Sequence, residues 1–222
     1  MTTKSAKAKS NNATGQGRAP NRRRLAVVIG ASVIILGALV AIFFTARSGK
    51  SGPGAYEFQV GTPGPSQVAP PIQLQSTTGG TYQLSGSRGK TVLLYFQEGL
   101  TCQPCWDQLK AIQQNFPRFK ALGIDEVITI TSDPLDALKQ KAADEGLTTP
   151  ILSDPGLTVS SSYHANDYGM MGNSRDGHTF IVVGPDGVIR WRADYGGPPN
   201  YTMYLPVDAL LADIQRGLKV GG

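Results

Sequence analysis

Two cysteines carry all the thiol chemistry this chain has, and they stand three residues apart in Thr101-Cys102-Gln103-Pro104-Cys105-Trp106. A C-x-x-C pair that opens a helix after a strand puts its first sulfur at the helix N-terminus, where unpaired backbone N–H groups and the macrodipole favour negative charge. Disulfide exchange needs such a thiolate to attack and a second thiol near enough to displace the mixed disulfide. Cys102 is therefore the expected nucleophile and Cys105, one turn inside the helix, the more buried resolving thiol. Pro104 in the first turn stiffens the loop without removing a needed donor. A purely stabilising role is weak, because closing so short a loop removes unfolded-state entropy on the order of 2 kcal/mol. Zinc needs about four ligands, and beyond the cysteines only His164 and His178 remain, without ligand spacing. No metal and no cofactor are expected. The rival metal reading gathers Met170, Met171, Met203, both histidines and the thiolates as soft ligands for Cu(I).

The elements around this pair follow from periodicity. Ile72–Gln75 and Thr81–Leu84 alternate around Thr78-Gly79-Gly80 as an opening hairpin. Thr91–Phe96 is β-branched and aromatic, a buried strand leading to Cys102. From Gln103 to Leu122 the apolar positions Leu109, Ile112, Phe116, Phe119 and Leu122 recur at helical spacing, with Pro117 expected to kink or divide the helix. After Gly123 comes a strand over Val127–Thr131. Asp133 is then read as an N-cap, with Pro134 at the first position of a helix ending at Gly146. Ile151–Leu152 is a short strand, residues 157–163 a short helix, and 165–175 an irregular loop. His178–Val183 and Val188–Arg192 flank the turn Gly184-Pro185-Asp186-Gly187 as an antiparallel hairpin, and Pro206 opens a last helix. This order predicts an α/β domain over 70–218, with a central mixed sheet flanked by helices.

The charge is uneven. Residues 1–24 carry Lys4, Lys7, Lys9, Arg18, Arg22, Arg23 and Arg24 and no acid, so the rest of the chain is slightly acidic despite a net +5. No nucleic-acid partner is expected, since no basic run is interleaved with aromatics. Leu25–Thr45 has no charge over about 21 residues, enough to cross a hydrocarbon core of about 30 Å. Arg22–Arg24 before it place the N-terminus, a basic tail over 1–24, in the cytoplasm and the C-terminal domain outside. A cleaved signal peptide is the rival, but the run is long, Phe44 and Ala46 make a poor cleavage site, and no lipoprotein cysteine follows. Ala26, Gly30, Gly37 and Ala41 share a face through which two such helices can approach, a weak homodimer signal. Residues 46–69, dense in Gly, Pro and Ser, are read as a tether.

Arg88-Gly89-Lys90-Thr91-Val92-Leu93-Leu94-Tyr95-Phe96 leading into the Cys102 motif, together with Thr179-Phe180-Ile181-Val182-Val183-Gly184-Pro185-Asp186-Gly187, resembles the thioredoxin-like superfamily. Within it the likeness is to the redoxin branch of alkyl hydroperoxide reductase/thiol-specific antioxidant proteins and the membrane-tethered TlpA/ResA-like oxidoreductases. The resemblance covers about residues 70–217. It implies a thioredoxin-like fold with the reactive disulfide at a strand end. Three departures stand out. Peroxiredoxins of this branch carry Thr or Ser three residues before their reactive cysteine, whereas here Gly99 precedes Cys102 by three and Cys102 itself precedes Cys105 by three. Arg175 lies further from the strand than their peroxide-binding arginine. The cis-proline of thioredoxins is replaced by Asp176-Gly177-His178, which implies that Gly177 or His178 faces the cysteines. Trp106 follows the second cysteine and is expected to pack under the loop. Glu98 is the carboxylate whose counterpart in relatives shuttles a proton.

The expected function is membrane-anchored, extracytoplasmic thiol–disulfide exchange. Its partners would be disulfide-containing extracytoplasmic proteins and a membrane electron donor that re-reduces the pair. The alternatives are peroxide reduction and a copper-handling or binding module on the same fold.

Overall fold

A computed structural model describes residues 56–220. The basic tail, the Leu25–Thr45 span with its small-residue face, and residues 46–55 of the tether lie outside the described residues. Among the described residues no helix is long and apolar enough to cross a membrane.

The domain is built on one seven-stranded sheet of order β2-β1-β5-β4-β3-β6-β7. The strands are β1 (Gln73–Ser76), β2 (Thr81–Gln83), β3 (Val92–Phe96), β4 (Glu126–Thr131), β5 (Ile151–Ser153), β6 (Thr179–Val183) and β7 (Ile189–Asp194). Central β3 pairs parallel with β4 and antiparallel with β6, with Phe96 opposite both Ile130 and Thr179. All five β3 residues are buried, as expected for a strand covered on both faces. Alternation then divides them: Leu93 and Tyr95 join Trp106, Leu109, Ile112 and Phe119 on one face. Leu94 and Phe96 join Ile130, Val159 and Tyr163 on the other.

The helices are α1 (Gln103–Gln114), α2 (Phe116–Ala121), α3 (Leu135–Glu145), α4 (Thr158–Ser162) and α5 (Val207–Val220). The expected long helix is divided at Asn115, and Pro117 falls in the first turn of α2, where its missing N–H costs nothing. On α1, Trp106, Leu109 and Ile112 are fully buried, each contributing about 1.5–3 kcal/mol of apolar burial. That buried stripe seats the helix, and its N-terminus is thereby held at the end of β3.

Two expectations are corrected. Asp133 does not cap α3: the cap position is Pro134, in extended conformation. The Asp133 carboxylate is taken instead by Leu100 N–H at 2.7 Å, Thr131 Oγ1 at 3.1 Å and Arg175 Nη1 at 2.9 Å. The second correction concerns the tether, whose described part is laid along β7 rather than free. Gln59 and Asp194 exchange backbone hydrogen bonds, and Val68 bridges Val188. The cause is a buried ion pair that needs this cover. Arg192, bound to Asp194 through Nε and Nη2, donates from Nη1 to the carbonyls of Pro63 and Tyr163. Gly61 N–H and Thr179 Oγ1 complete the Asp194 carboxylate, each at 2.7 Å. Every polar atom of the pair is thus satisfied, the condition for tolerating buried charge.

Candidate active site

The first turn of α1 carries the disulfide Cys102–Cys105, with an S–S distance of 2.05 Å and a Cα–Cα distance of 5.3 Å. Cys102 is the N-cap residue of α1, and the Cys105 amide points at Cys102 Sγ from 3.3 Å. Once the pair is reduced, this donor and the helix N-terminus favour negative charge on Cys102. The two sulfurs differ in access, Cys102 being 5 % exposed and Cys105 0 %. Only the first is placed to meet an incoming sulfur.

The loop before the pair is pinned from several sides. Gly99 has φ +80, and a Cβ there would come within 1.7 Å of Asp133 Oδ2, so only glycine fits. Its carbonyl accepts the Cys102 amide at 3.0 Å and the Trp106 indole N–H at 2.9 Å. Trp106 therefore does pack under the loop, fully buried, with the Lys141 ammonium 5.6 Å from its ring centroid. Arg175 Nη1 bridges the Asp133 carboxylate and, at 3.0 Å, the Glu98 carbonyl. Asp133 and Arg175 thus hold residues 98–100 in place. No local pattern signals this role: Asp133 has the sequence setting of a helix cap, and its partners Leu100 and Arg175 are distant in sequence.

Of the accessory residues, Glu98 is buried, and its Oε1 accepts the Met170 N–H at 2.5 Å. The carboxylate anchors the 165–175 loop. Gly177 is packed against that same loop, where a Cβ would meet the Tyr168 carbonyl oxygen at 1.7 Å. This contact explains why no proline stands there, since a ring would collide with the loop backbone. His178 does not turn to the sulfurs: its Nδ1 lies 3.0 Å from the Tyr95 hydroxyl, which donates to the Cys105 carbonyl at 3.3 Å. The ring is linked to the helix through Tyr95. Burial pushes the imidazole pKa down to about 3, so the ring is neutral, and burial raises the Tyr95 hydroxyl well above its ordinary range. Pro104 occupies the first turn of α1, as expected.

The reading that gathers both histidines with the sulfurs is not matched. His164 is exposed and faces Asp167 at 3.2 Å, while His178 sits behind Tyr95. Met170 and Met171 are exposed on their loop, but Met203 forms one buried cluster with Cys102 and Cys105. Among the described residues, no group of three His, Cys, Asp or Glu side chains is placed to hold a metal.

Asp176 is fully buried, and neither carboxylate oxygen has a hydrogen-bond partner among the described residues. Burial first, then the nearby Asp154 and Asp133 carboxylates, raises its pKa well above the ordinary 3.8, against opposing effects of Ser160 and Arg175. The folded state thus keeps a proton that the unfolded chain releases. The stability that this proton contributes is fully present below pH 3.8 and is lost as pH rises through the folded-state value. Asp176→Asn is expected to gain stability over the native chain by up to about 1.4 kcal/mol per pH unit across that window. Urea unfolding of the two oxidised proteins from pH 4 to 7 checks this, and parallel stability curves would contradict it.

Comparison with known proteins bears on the fold and the family. The AhpC/TSA family model matches residues 65–192. A Mycobacterium tuberculosis protein named as a peroxiredoxin is 31 % identical over 130 residues, covering 56 % of this chain and 81 % of that protein. The thiol-disulfide oxidoreductase ResA of Geobacillus kaustophilus is 30 % identical over 97 residues, 44 % of this chain and 55 % of that protein. Among solved structures, the peroxidoxin BcpB of Mycobacterium tuberculosis superposes with a TM-score of 0.58 at 17 % identity, over 71 % of this chain and 97 % of that one, which bears on the fold alone. The fold is thioredoxin-like α/β, the cysteine pair lies inside the matched region, and the chain is an oxidoreductase that belongs to the AhpC/TSA family.

Proposed function

We propose that the chain is a membrane-anchored thiol–disulfide oxidoreductase that works outside the cytoplasm and reduces disulfides in other proteins. The observation that carries this reading is the asymmetric pair at the start of α1, with Cys102 at the helix cap and Cys105 fully buried behind it. The Cys102 thiolate attacks a substrate disulfide, forms a Cys102–substrate disulfide and releases one substrate thiolate. Cys105 thiolate then attacks Cys102 Sγ, releases the second substrate thiolate and closes Cys102–Cys105. Two electrons and two protons pass from the dithiol to the substrate, and a membrane dithiol donor restores the pair. The uncharged Leu25–Thr45 run, with Arg22–Arg24 before it, supports the anchor and the outward orientation.

Peroxide reduction is the second reading, favoured by the peroxiredoxin relatives. Two features of the site speak against it. A Thr or Ser side chain has no room at position 99, and Arg175 is committed to Asp133 and the Glu98 carbonyl.

The test is capture in the membrane. Full-length Cys105→Ser should accumulate mixed disulfides through Cys102 with other proteins, digestible by protease added outside the cell. Adducts protected from that protease would refute the orientation, and absence of protein adducts would refute the substrate class.

A further inference from the structure

We propose that the reduced chain holds one Cu(I) ion in a three-sulfur site made by Cys102, Cys105 and Met203. The three side chains form a buried cluster of their own, with exposures of 5 %, 0 % and 7 %. Met203 lies in the segment between β7 and α5, about a hundred residues from the cysteines. Its place is set on both sides: Thr202 N–H donates to the Tyr195 carbonyl at 3.0 Å, and Leu205 N–H donates to Gln108 Oε1 at 2.6 Å. Gln108 is fully buried on α1, three residues after Cys105. The helix that carries the cysteines thereby clamps the segment that carries the methionine.

The ligand chemistry selects the ion. Two thiolates and a thioether are soft donors, which suit Cu(I). Zinc would need about a fourth protein ligand, and neither histidine is placed to supply one. In the oxidised chain both cysteine sulfurs are spent in the S–S bond. Reduction by a dithiol delivers two electrons and two protons to that bond, and Cu(I) then displaces the two thiol protons. Metal affinity is therefore coupled to the redox state of the same pair.

The test uses the full chain, reduced with dithiothreitol, freed of it without air, and titrated with Cu(I) against bathocuproine disulfonate. One Cu(I) per reduced chain is expected, and none on the oxidised chain. Met203→Leu, which nearly conserves volume, should bind about tenfold more weakly or worse. X-ray absorption should count three sulfurs at copper in the native chain and two in the variant. Equal affinities, or a two-sulfur copper in the native chain, would overturn the proposal and leave Met203 a packing residue.

Discussion

Cys102→Ser abolishes disulfide exchange, with an expected loss on the order of 10³-fold or more, because the hydroxyl that replaces the thiol is a far weaker nucleophile. Cys105→Ser differs in kind: the attack survives, and the reaction stalls at the mixed disulfide. The difference follows from the placement of the two sulfurs, one at the cap of α1 and one fully buried behind it. Stopped assays with alkylation of free thiols separate the variants. A Cys102→Ser protein that still turns over substrate would show that Cys105 reaches substrates unaided.

The second large effect is expected at Asp133. Its carboxylate joins Leu100 N–H, Thr131 Oγ1 and Arg175, and the same arginine holds the Glu98 carbonyl. Asp133→Ala leaves a largely buried guanidinium without its partner and an amide without its acceptor. Removing one member of such a pair costs about 2–4 kcal/mol, at the lower end here because the Arg175 side chain is 25 % exposed. Loosening residues 98–101 should also slow exchange by about 10- to 100-fold through misplacement of Cys102. Asp133→Asn keeps an acceptor for Leu100 and should recover part of the rate. Thermal unfolding together with exchange kinetics reads both effects, and wild-type rates in Asp133→Ala would contradict the positioning role.

Much of this was legible in the residues. The β3 run, the Gly184–Gly187 turn, the division near Pro117 and the cysteine pair at a helix start all rest on local patterns, and the structure forms each of them. What local pattern does not carry is where a polar side chain spends its hydrogen bonds. Asp133 before Pro134 looks like a helix cap, yet donors from Leu100 and Arg175, distant in sequence, capture it. Residues 56–69 have a linker's composition, but the buried Arg192–Asp194 pair needs their backbone as partners. The absent proline at position 177 becomes intelligible only once the Tyr168 carbonyl is seen against it. Met203 carries no motif, and its approach to the sulfurs depends on the fold closing through Gln108.

The most direct measurement mixes the reduced full chain with a disulfide-bonded protein in one series and with hydrogen peroxide in another. Each reaction is quenched with an alkylating agent, and the loss of Cys102 and Cys105 adducts is counted by mass. The site geometry predicts that the protein disulfide oxidises the pair faster than an equal concentration of peroxide does. Rapid oxidation by peroxide with sluggish oxidation by the protein disulfide would contradict it and make this chain a peroxidase.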